Sequence, residues 1–223
     1  MNLLSVAQSA TYQSEREKIH DLVHTKLKVD FNFNNKTMNG EAWVTAKPHF
    51  YSTNKITLDA KAMLIHEVSL NNNALSYKYD DKLKLIIELP KNYQKEEEFT
   101  IYIKYTAQPE KVYQKGSTAI TSAKGLYFIN ANGSDKNKPT QIWTQGETEA
   151  SSCWFPTIDA PNQKTSEEIY ITVPNKFVTL SNGELISKTK NGNNRTDYWK
   201  LDKKHAPYLF FMGIGEYEIV KDS

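Results

Sequence analysis

Short segments in which apolar and polar residues alternate recur along this 223-residue chain at intervals of roughly ten residues. A period of two places successive side chains on opposite faces of a β-strand. With turn-forming Asn, Asp and Lys-Asn pairs between the segments, the pattern is typical of an antiparallel β-sandwich or barrel. We therefore predict an all-β fold. The predicted strands are residues 27–33, 41–48, 55–60, 64–70, 74–80, 82–89, 98–107, 125–130, 141–145, 167–174, 177–183, 184–190, 196–202 and 209–220.

Four segments depart from this alternation. Ser14 to Val23 is the one stretch whose periodicity suggests a helical turn or two, so at most a short N-terminal helix is expected. Asn35 to Gly40 contains an Asn-Gly pair and predicts a hairpin turn, as does Asn191 to Asn194. Gln108 to Thr121 is polar, carries a proline and a glycine, and is interpreted as a loop or crossover.

Composition limits the possible functions. The 28 basic and 26 acidic residues leave a formal charge of +2, and the lysines are scattered along the chain, which argues against nucleic-acid binding. No apolar run approaches the roughly twenty residues that cross a bilayer, so we expect a soluble protein.

Residues 1–14 are interpreted as a leader or disordered tail and 15–223 as a single β domain. Export remains an open alternative, and the compartment is unknown.

The sequence also argues against a metal site in this chain. His20 and His24 lie four residues apart, as in the zinc motif HExxH, but Asp21 stands where the glutamate should be and a strand follows at once. No third ligand is found at the expected spacing. Cys153 is the only cysteine, which excludes an intrachain disulfide, and we interpret it as a small core residue.

The segment Thr144 to Pro161, TQGETEASSCWFPTIDAP, is the most informative for function. Gln145, Glu147 and Glu149 stand close together ahead of an aromatic, proline-containing turn, an arrangement that can hold a carboxylate at a domain edge. We expect Asp159 to cap backbone groups of that turn. The sequence shows no Ser-His-Asp arrangement of a catalytic triad, no glycine-rich phosphate-binding loop and no complete set of metal ligands. The residues alone therefore favour a binding or interaction module over a self-sufficient enzyme.

Several motifs, in the same order, resemble the aminopeptidase N family of zinc metallopeptidases, which also includes leukotriene hydrolase. The motifs are TQGE, FPTIDAP, IYITVP and VTLSNG, and the likeness extends over nearly the whole chain from about His20. The resemblance implies the β-sandwich or saddle-like N-terminal domain of such a peptidase. It also implies that the zinc ligands and the exopeptidase motif belong to a following catalytic domain that this chain does not contain.

The resemblance assigns one role within the chain. Glu147 matches the family glutamate that holds the free α-ammonium group of the substrate, with Gln145 beside it. The implied partners are the protein's own catalytic domain and peptides with a free N-terminus, and the implied cofactor is zinc in that domain. The fragment alone is expected to be inactive. Glu149 is expected at the rim of this substrate site. The rings of the core or of an interface are expected to include Trp143, Trp154 and Phe155.

Two departures from the family pattern affect fine specificity. Thr157 replaces the usual cysteine of the turn, and Ser152 and Cys153 stand where many relatives carry an arginine. Two other functions stay open. The chain could be a non-catalytic β-sandwich that binds a partner or serves as a scaffold, or it could belong to an epoxide-hydrolysing relative. Glutamate at position 147 favours the peptidase over the latter.

Overall fold

The structure is a computed structural model that describes residues 16–112 and 123–220, and it confirms the all-β, largely antiparallel fold. Fifteen strands are present in these residues. Their bounds are β1 His20–Asn32, β2 Thr37–Pro48, β3 Thr53–Asp59, β4 Met63–Leu70, β5 Asn73–Ala74, β6 Tyr77–Asp80, β7 Lys84–Tyr93, β8 Phe99–Ala107, β9 Leu126–Ile129, β10 Gln141–Thr144, β11 Thr165–Pro174, β12 Val178–Ser181, β13 Glu184–Asn191, β14 Asn194–His205 and β15 Met212–Gly215. Single 3-10 turns cover Pro109–Lys111, Ser151–Cys153 and Pro207–Leu209.

The strands form three sheets. The largest has eight strands in the order β13-β14-β11-β1-β2-β8-β4-β5, a second has the order β12-β15-β10-β9, and a third has the order β3-β7-β6. All pairs in the two small sheets are antiparallel, and in the large sheet only β1 and β11 run parallel. Consecutive strands joined by short turns pair naturally in this antiparallel manner.

One apolar core joins the three sheets. Along β2, residues at every second position are buried while the intervening ones are more exposed, so only one face of the large sheet packs inward. The inner face meets apolar side chains of both small sheets in a single cluster. Its members include Leu27, Val44, Ile101 and Ile169 from the large sheet, Ile56 and Ile87 from the three-stranded sheet, and Phe128, Ile142 and Ile214 from the four-stranded sheet.

Three local predictions were wrong. Residues 16–19 are irregular and β1 begins at His20, so the described part of the predicted Ser14–Val23 helix is not helical. The reason is tertiary, because His20 and Leu22 are buried and pair with the end of β2. Residues 216–220 are not strand either. The first hairpin turn lies at 33–36, before the Asn-Gly pair, which is inside β2.

Positions 1–14 and 113–121, which include the predicted leader and most of the predicted loop, lie outside the described residues. Within the described part of that loop, Pro109–Lys111 forms one of the 3-10 turns. The Asn191–Asn194 hairpin turn is present as predicted, with Gly192 at a φ of 58°. Left-handed backbone of this kind favours glycine, since it has no Cβ to clash.

Gly40 explains why an Asn-Gly pair stands inside a strand. It is opposite Tyr105 of β8, and a Cβ at this position would fall inside the Tyr105 ring. We expect Gly40→Ala to lower the free energy of unfolding by about 1–3 kcal/mol, because overpacking forces the ring or the strand to move. Urea denaturation measures the loss. In a Tyr105→Leu background the same change should cost clearly less, and an equal cost in both backgrounds would contradict this packing explanation.

Candidate functional site

The segment that begins at Thr144 forms a short loop at the end of β10, followed by a 3-10 turn over Ser151–Cys153. One backbone hydrogen bond ties the start of the loop to the segment before β9, and a second closes the loop on itself. Gln145 N–H donates to the Gly125 carbonyl over 2.9 Å, and Ala150 N–H donates to the Gly146 carbonyl over 2.8 Å. The exposed part is therefore only 147–149, three residues between two anchored ends.

Glu147 lies at the exposed tip of this loop. Within 16–112 and 123–220, no ion pair involves its carboxylate. Its backbone N–H lies 3.4 Å from Oε1 of Gln145, so the two predicted substrate-binding residues are neighbours in space as well as in sequence. Glu149 is exposed too, as expected of a rim residue, and its carbonyl accepts a hydrogen bond from Lys61 Nζ over 2.5 Å.

Gly146 allows the loop to lie close to the segment that precedes β15. A Cβ at this position would clash with the Tyr208 carbonyl and lie 2.6 Å from Ser151 Oγ. Ser151 Oγ donates to the Pro207 carbonyl over 2.9 Å, which joins the same two segments a second time. Any larger residue at position 146 would push the loop away from Tyr208, and with it the neighbouring Glu147.

The aromatic turn that follows is the floor of the site. Trp154 and Phe155 are fully buried, which agrees with their prediction as core rings. Phe155 stacks on Phe210 with ring centroids 4.9 Å apart, and Trp154 packs edge-on against Phe155 at 4.4 Å. The aromatic contacts therefore hold the turn against the chain near Tyr208.

Asp59, at the end of β3, anchors the turn from the other side. Asp59 and Thr157 exchange both backbone hydrogen bonds, 2.6 and 3.0 Å long. The Asp59 carboxylate accepts a hydrogen bond from Asp159 N–H over 2.9 Å and forms ion pairs with Arg16, at 2.5 Å, and Lys84. Its side chain is only 5% exposed, so these cations compensate for the loss of hydration.

Asp159 caps the 3-10 turn, as predicted. Its Oδ2 accepts the Ser152 N–H over 2.8 Å. Burial raises the pKa of the Asp159 carboxyl to about 6, and the nearby Asp59 charge acts in the same direction, while the Ser152 hydrogen bonds and Lys61 oppose the shift. The carboxyl therefore titrates well above the range of an exposed aspartate.

A partly apolar surface adjoins the loop on the outer face of the four-stranded sheet. Trp143 is half-buried, and its ring stacks on Tyr127 with centroids 4.4 Å apart. Leu180 on the edge strand β12 is 52% exposed, and Leu209, directly after Tyr208, is 48% exposed. Trp143, Leu180 and Leu209 are called the docking face below. Leu180 and Leu209 were missed in the sequence, because single leucines in strand-like segments look the same whether they face the core or the outside.

The two histidines of HDLVH do not face a common site. A β-bulge between Leu22 and His24 reverses the alternation of β1, so His20 points into the core while His24 is half-exposed and bonds to Ser166 Oγ. Burial lowers the pKa of His20 to about 4, which keeps it neutral. Among residues 16–112 and 123–220, no group of three or more His, Cys, Asp or Glu side chains could hold a metal ion.

Cys153 is fully buried beneath the loop, where its thiol lies 3.7 Å from the Ala123 carbonyl. Burial raises the pKa of the thiol to about 12, so the reactive thiolate is not formed near neutral pH. This agrees with its interpretation as a core residue. In the described part of the chain, no helix has the length and apolar character that crossing a bilayer requires.

The arrangement of one large sheet and two smaller ones is found in zinc metallopeptidases. The crystal structure of an M1 zinc metallopeptidase from Deinococcus radiodurans superimposes with a TM-score of 0.76 at 15% identity, over 91% of this chain and 43% of that one. A family model described as the Peptidase M1 N-terminal domain matches residues 16–209. The chain belongs to this family, which confirms the resemblance drawn from its motifs.

Two kinds of curated relative are found. The puromycin-sensitive aminopeptidase of Caenorhabditis elegans is 26% identical over an alignment of 183 positions, which covers 76% of this chain and 18% of the relative. The transcription initiation factor TFIID subunit 2 of Danio rerio is 21% identical over an alignment of 242 positions, which covers 93% of this chain and 20% of the relative. The chain thus spans about a fifth of the length of these relatives.

The raised pKa of Asp159 predicts a pH-dependent stability. The folded state keeps this proton up to a pH of about 6, whereas the unfolded chain releases it near pH ~3.9. Between these values the native state binds more protons, so the free energy of unfolding should fall as the pH rises, by about 3 kcal/mol at most. Asp159→Asn keeps an oxygen acceptor for Ser152 but removes the titration.

Urea denaturation at pH 4, 5, 6 and 7 provides the measurement. Because His20 contributes a slope of the opposite sign, the quantity to compare is the difference between wild type and Asp159→Asn at each pH. Glu149→Gln, in the exposed part of the same loop, is the control and should follow the wild-type curve. Parallel curves for wild type and Asp159→Asn would contradict the prediction.

Proposed function

We propose that this chain is the N-terminal domain of a zinc aminopeptidase and that Glu147 binds the α-ammonium group of the substrate. An α-amino group has a pKa near 7.7–8.0 and is largely cationic at neutral pH, so a carboxylate is its natural partner. Glu147 is exposed and forms no ion pair with another described residue. This available carboxylate, on a loop with both ends anchored, is the observation that carries the proposal.

Gln145 supports the same role in two ways. Its Oε1 lies 3.4 Å from the Glu147 N–H, which orients the loop tip. Its amide nitrogen remains a donor that can bind the substrate beside the ammonium group. An acetylated or internal peptide segment offers no cation to this pair and would leave the carboxylate uncompensated, so the site selects a free chain end.

The hydrolytic step belongs to a domain outside this chain. The described residues contain no set of three ligands for zinc, so zinc and its activated water would have to be supplied by that domain. Glu147 and Gln145 would then hold the first residue of the peptide while the first peptide bond is attacked. By itself, this chain would bind but not cleave.

The docking face supports a neighbouring domain as partner. Trp143 and Leu180 lie on the four-stranded sheet, and Leu209 lies in the 3-10 turn whose Tyr208 carbonyl contacts Gly146 of the Glu147 loop. Exposed apolar groups beside a candidate site are typical of protein interfaces. The chain spans only about a fifth of its relatives' lengths, and we propose that the catalytic domain covers this face and brings its zinc close to Glu147.

The anchoring role is tested in the full-length product that carries this chain. We expect Glu147→Gln to lower kcat/KM for aminoacyl reporters by about 30- to 150-fold, because a charge-assisted hydrogen bond contributes roughly 2–3 kcal/mol. Most of the loss should lie in KM. Glu149→Gln is the matched control and should behave as wild type, and N-acetylated reporters should not be cleaved by any variant. Unchanged kinetics of Glu147→Gln would exclude the anchoring role.

The docking face is tested with this chain alone. Without its partner, the face should make the chain self-associate at concentrations of tens of micromolar, which sedimentation velocity can measure. Leu180→Asp combined with Leu209→Asp should shift the chain to monomer, whereas Leu64→Asp, an equally exposed leucine on the large sheet, should not. A wild-type chain that stays monomeric throughout this range would contradict the prediction.

A second function is favoured by one observation. TFIID subunit 2 proteins from three organisms are among the relatives, and the first of them matches 93% of the chain. Transcription initiation factors point to a role in assembly, so the same fold could serve as a non-catalytic scaffold. The scaffold function predicts a full-length product that binds no zinc and does not cleave aminoacyl reporters. Metal analysis together with the reporter assay separates the two functions.

A further inference from the structure

Lys61 reaches the exposed loop from a different sheet. It lies in the turn between β3 and β4, and its Nζ donates to the Glu149 carbonyl over 2.5 Å. Ser152 Oγ donates to the same carbonyl over 3.3 Å. Glu149 is only two residues beyond Glu147, so this carbonyl holds the loop tip on one side, as the bond from Gln145 N–H to the Gly125 carbonyl holds it on the other.

The turn that carries Lys61 is itself well fixed. The Tyr79 hydroxyl donates to the Ala60 carbonyl over 2.6 Å and accepts the Met63 N–H over 2.9 Å. Ala60 N–H and Ala62 N–H donate to carbonyls in the turn of the neighbouring β6–β7 hairpin, each over 2.9 Å. The lysine side chain therefore extends from a rigid base to a loop whose exposed part is three residues long.

We propose that Lys61 is a positioning residue for Glu147. Its ammonium group fixes the Glu149 carbonyl and so limits the directions that the Glu147 carboxylate can take. A carboxylate held in one orientation loses less conformational entropy when it binds an ammonium group. The proposal rests on the proposed substrate-anchoring function and adds a residue that does not touch the substrate.

The backbone of Lys61 makes the proposal testable. Its N–H donates to the Ser152 carbonyl over 2.7 Å, and this bond remains in any Lys61 variant. Lys61→Met keeps the length and the apolar stem of the side chain but removes the donor, so the turn should stay folded while the loop tip is released. Lys61→Arg restores a cationic donor. Lys78→Met, which removes an exposed lysine of β6 whose ammonium group pairs with Asp80, is the matched control.

The first measurement needs no catalytic activity. Hydrogen–deuterium exchange of the full-length protein, followed in peptides that cover 145–150, should be at least about fivefold faster in Lys61→Met than in wild type, with Lys61→Arg in between, since one charge-assisted hydrogen bond is lost. Peptides from β3 and β7 should exchange at the wild-type rate. Unchanged exchange in 145–150 would overturn the proposal.

The second measurement separates this inference from the proposed function. In the aminoacyl reporter assay we expect Lys61→Met to raise KM about tenfold with kcat within twofold, and Lys61→Arg and Lys78→Met to resemble wild type. If Glu147→Gln raises KM but Lys61→Met does not, the positioning role fails and the anchoring role stands. A fall in KM on Lys61→Met would also overturn it, because Lys61 would then act by repelling the substrate cation.

Discussion

The buried carboxylate of Asp59 is the interaction on which the site region depends. It accepts the Asp159 N–H and pairs with Arg16 and Lys84, while the Asp59 backbone forms a bridge to Thr157. Among the described residues, the segment between β10 and β11 contains no strand, so the bridge at Thr157 and the Asp59 side chain hold it where a continuous strand ladder would otherwise do so. A buried charge with too few partners is costly, and its full set of donors therefore favours one arrangement of the turn.

A fixed floor and an exposed rim follow from this attachment. The residues that face inward, Cys153, Trp154 and Phe155, are fully buried, whereas 147–149 are exposed. Hydrogen bonds from Lys61 and Ser152 connect the two layers at the Glu149 carbonyl. A binding group is positioned well when its supports are packed and only its tip meets solvent. The Glu147 loop has this construction, although it belongs to no regular element.

The sequence predicted the parts of the fold that depend on local pattern. Alternation located most strands, and the motif order identified the family. Prediction from the sequence failed where contacts with distant residues decide the local structure. The prediction of a helix over Ser14–Val23 was wrong, because burial of His20 and Leu22 against β2 overrides the helical spacing of the sequence. The Asn-Gly turn was wrong because Gly40 makes room for the Tyr105 ring, a partner 65 positions away in the chain that no local pattern reveals.

For the candidate site, the sequence indicated the acidic loop but not what supports it. Asp159 could be predicted as a cap because its partner is seven residues away. Asp59, Lys61 and Lys84 could not, since they lie far away in the chain, at strand ends and in a turn where charged residues are common. Leu180 and Leu209 were missed for a related reason, as alternation does not say which face of a small sheet is left uncovered.

The exposure of Glu147 bears on how the proposed anchor would work. In bulk water, two opposite unit charges 4 Å apart attract each other by only about 1 kcal/mol, but the attraction rises to about 4 kcal/mol at the lower effective dielectric constant of a partly covered surface. Glu147 in this chain alone faces water. Under the proposed function, a domain covering Trp143, Leu180 and Leu209 would exclude water from one side of the loop. Selectivity for a free N-terminus would then arise from the assembled protein, while this chain contributes the carboxylate and the supports that orient it.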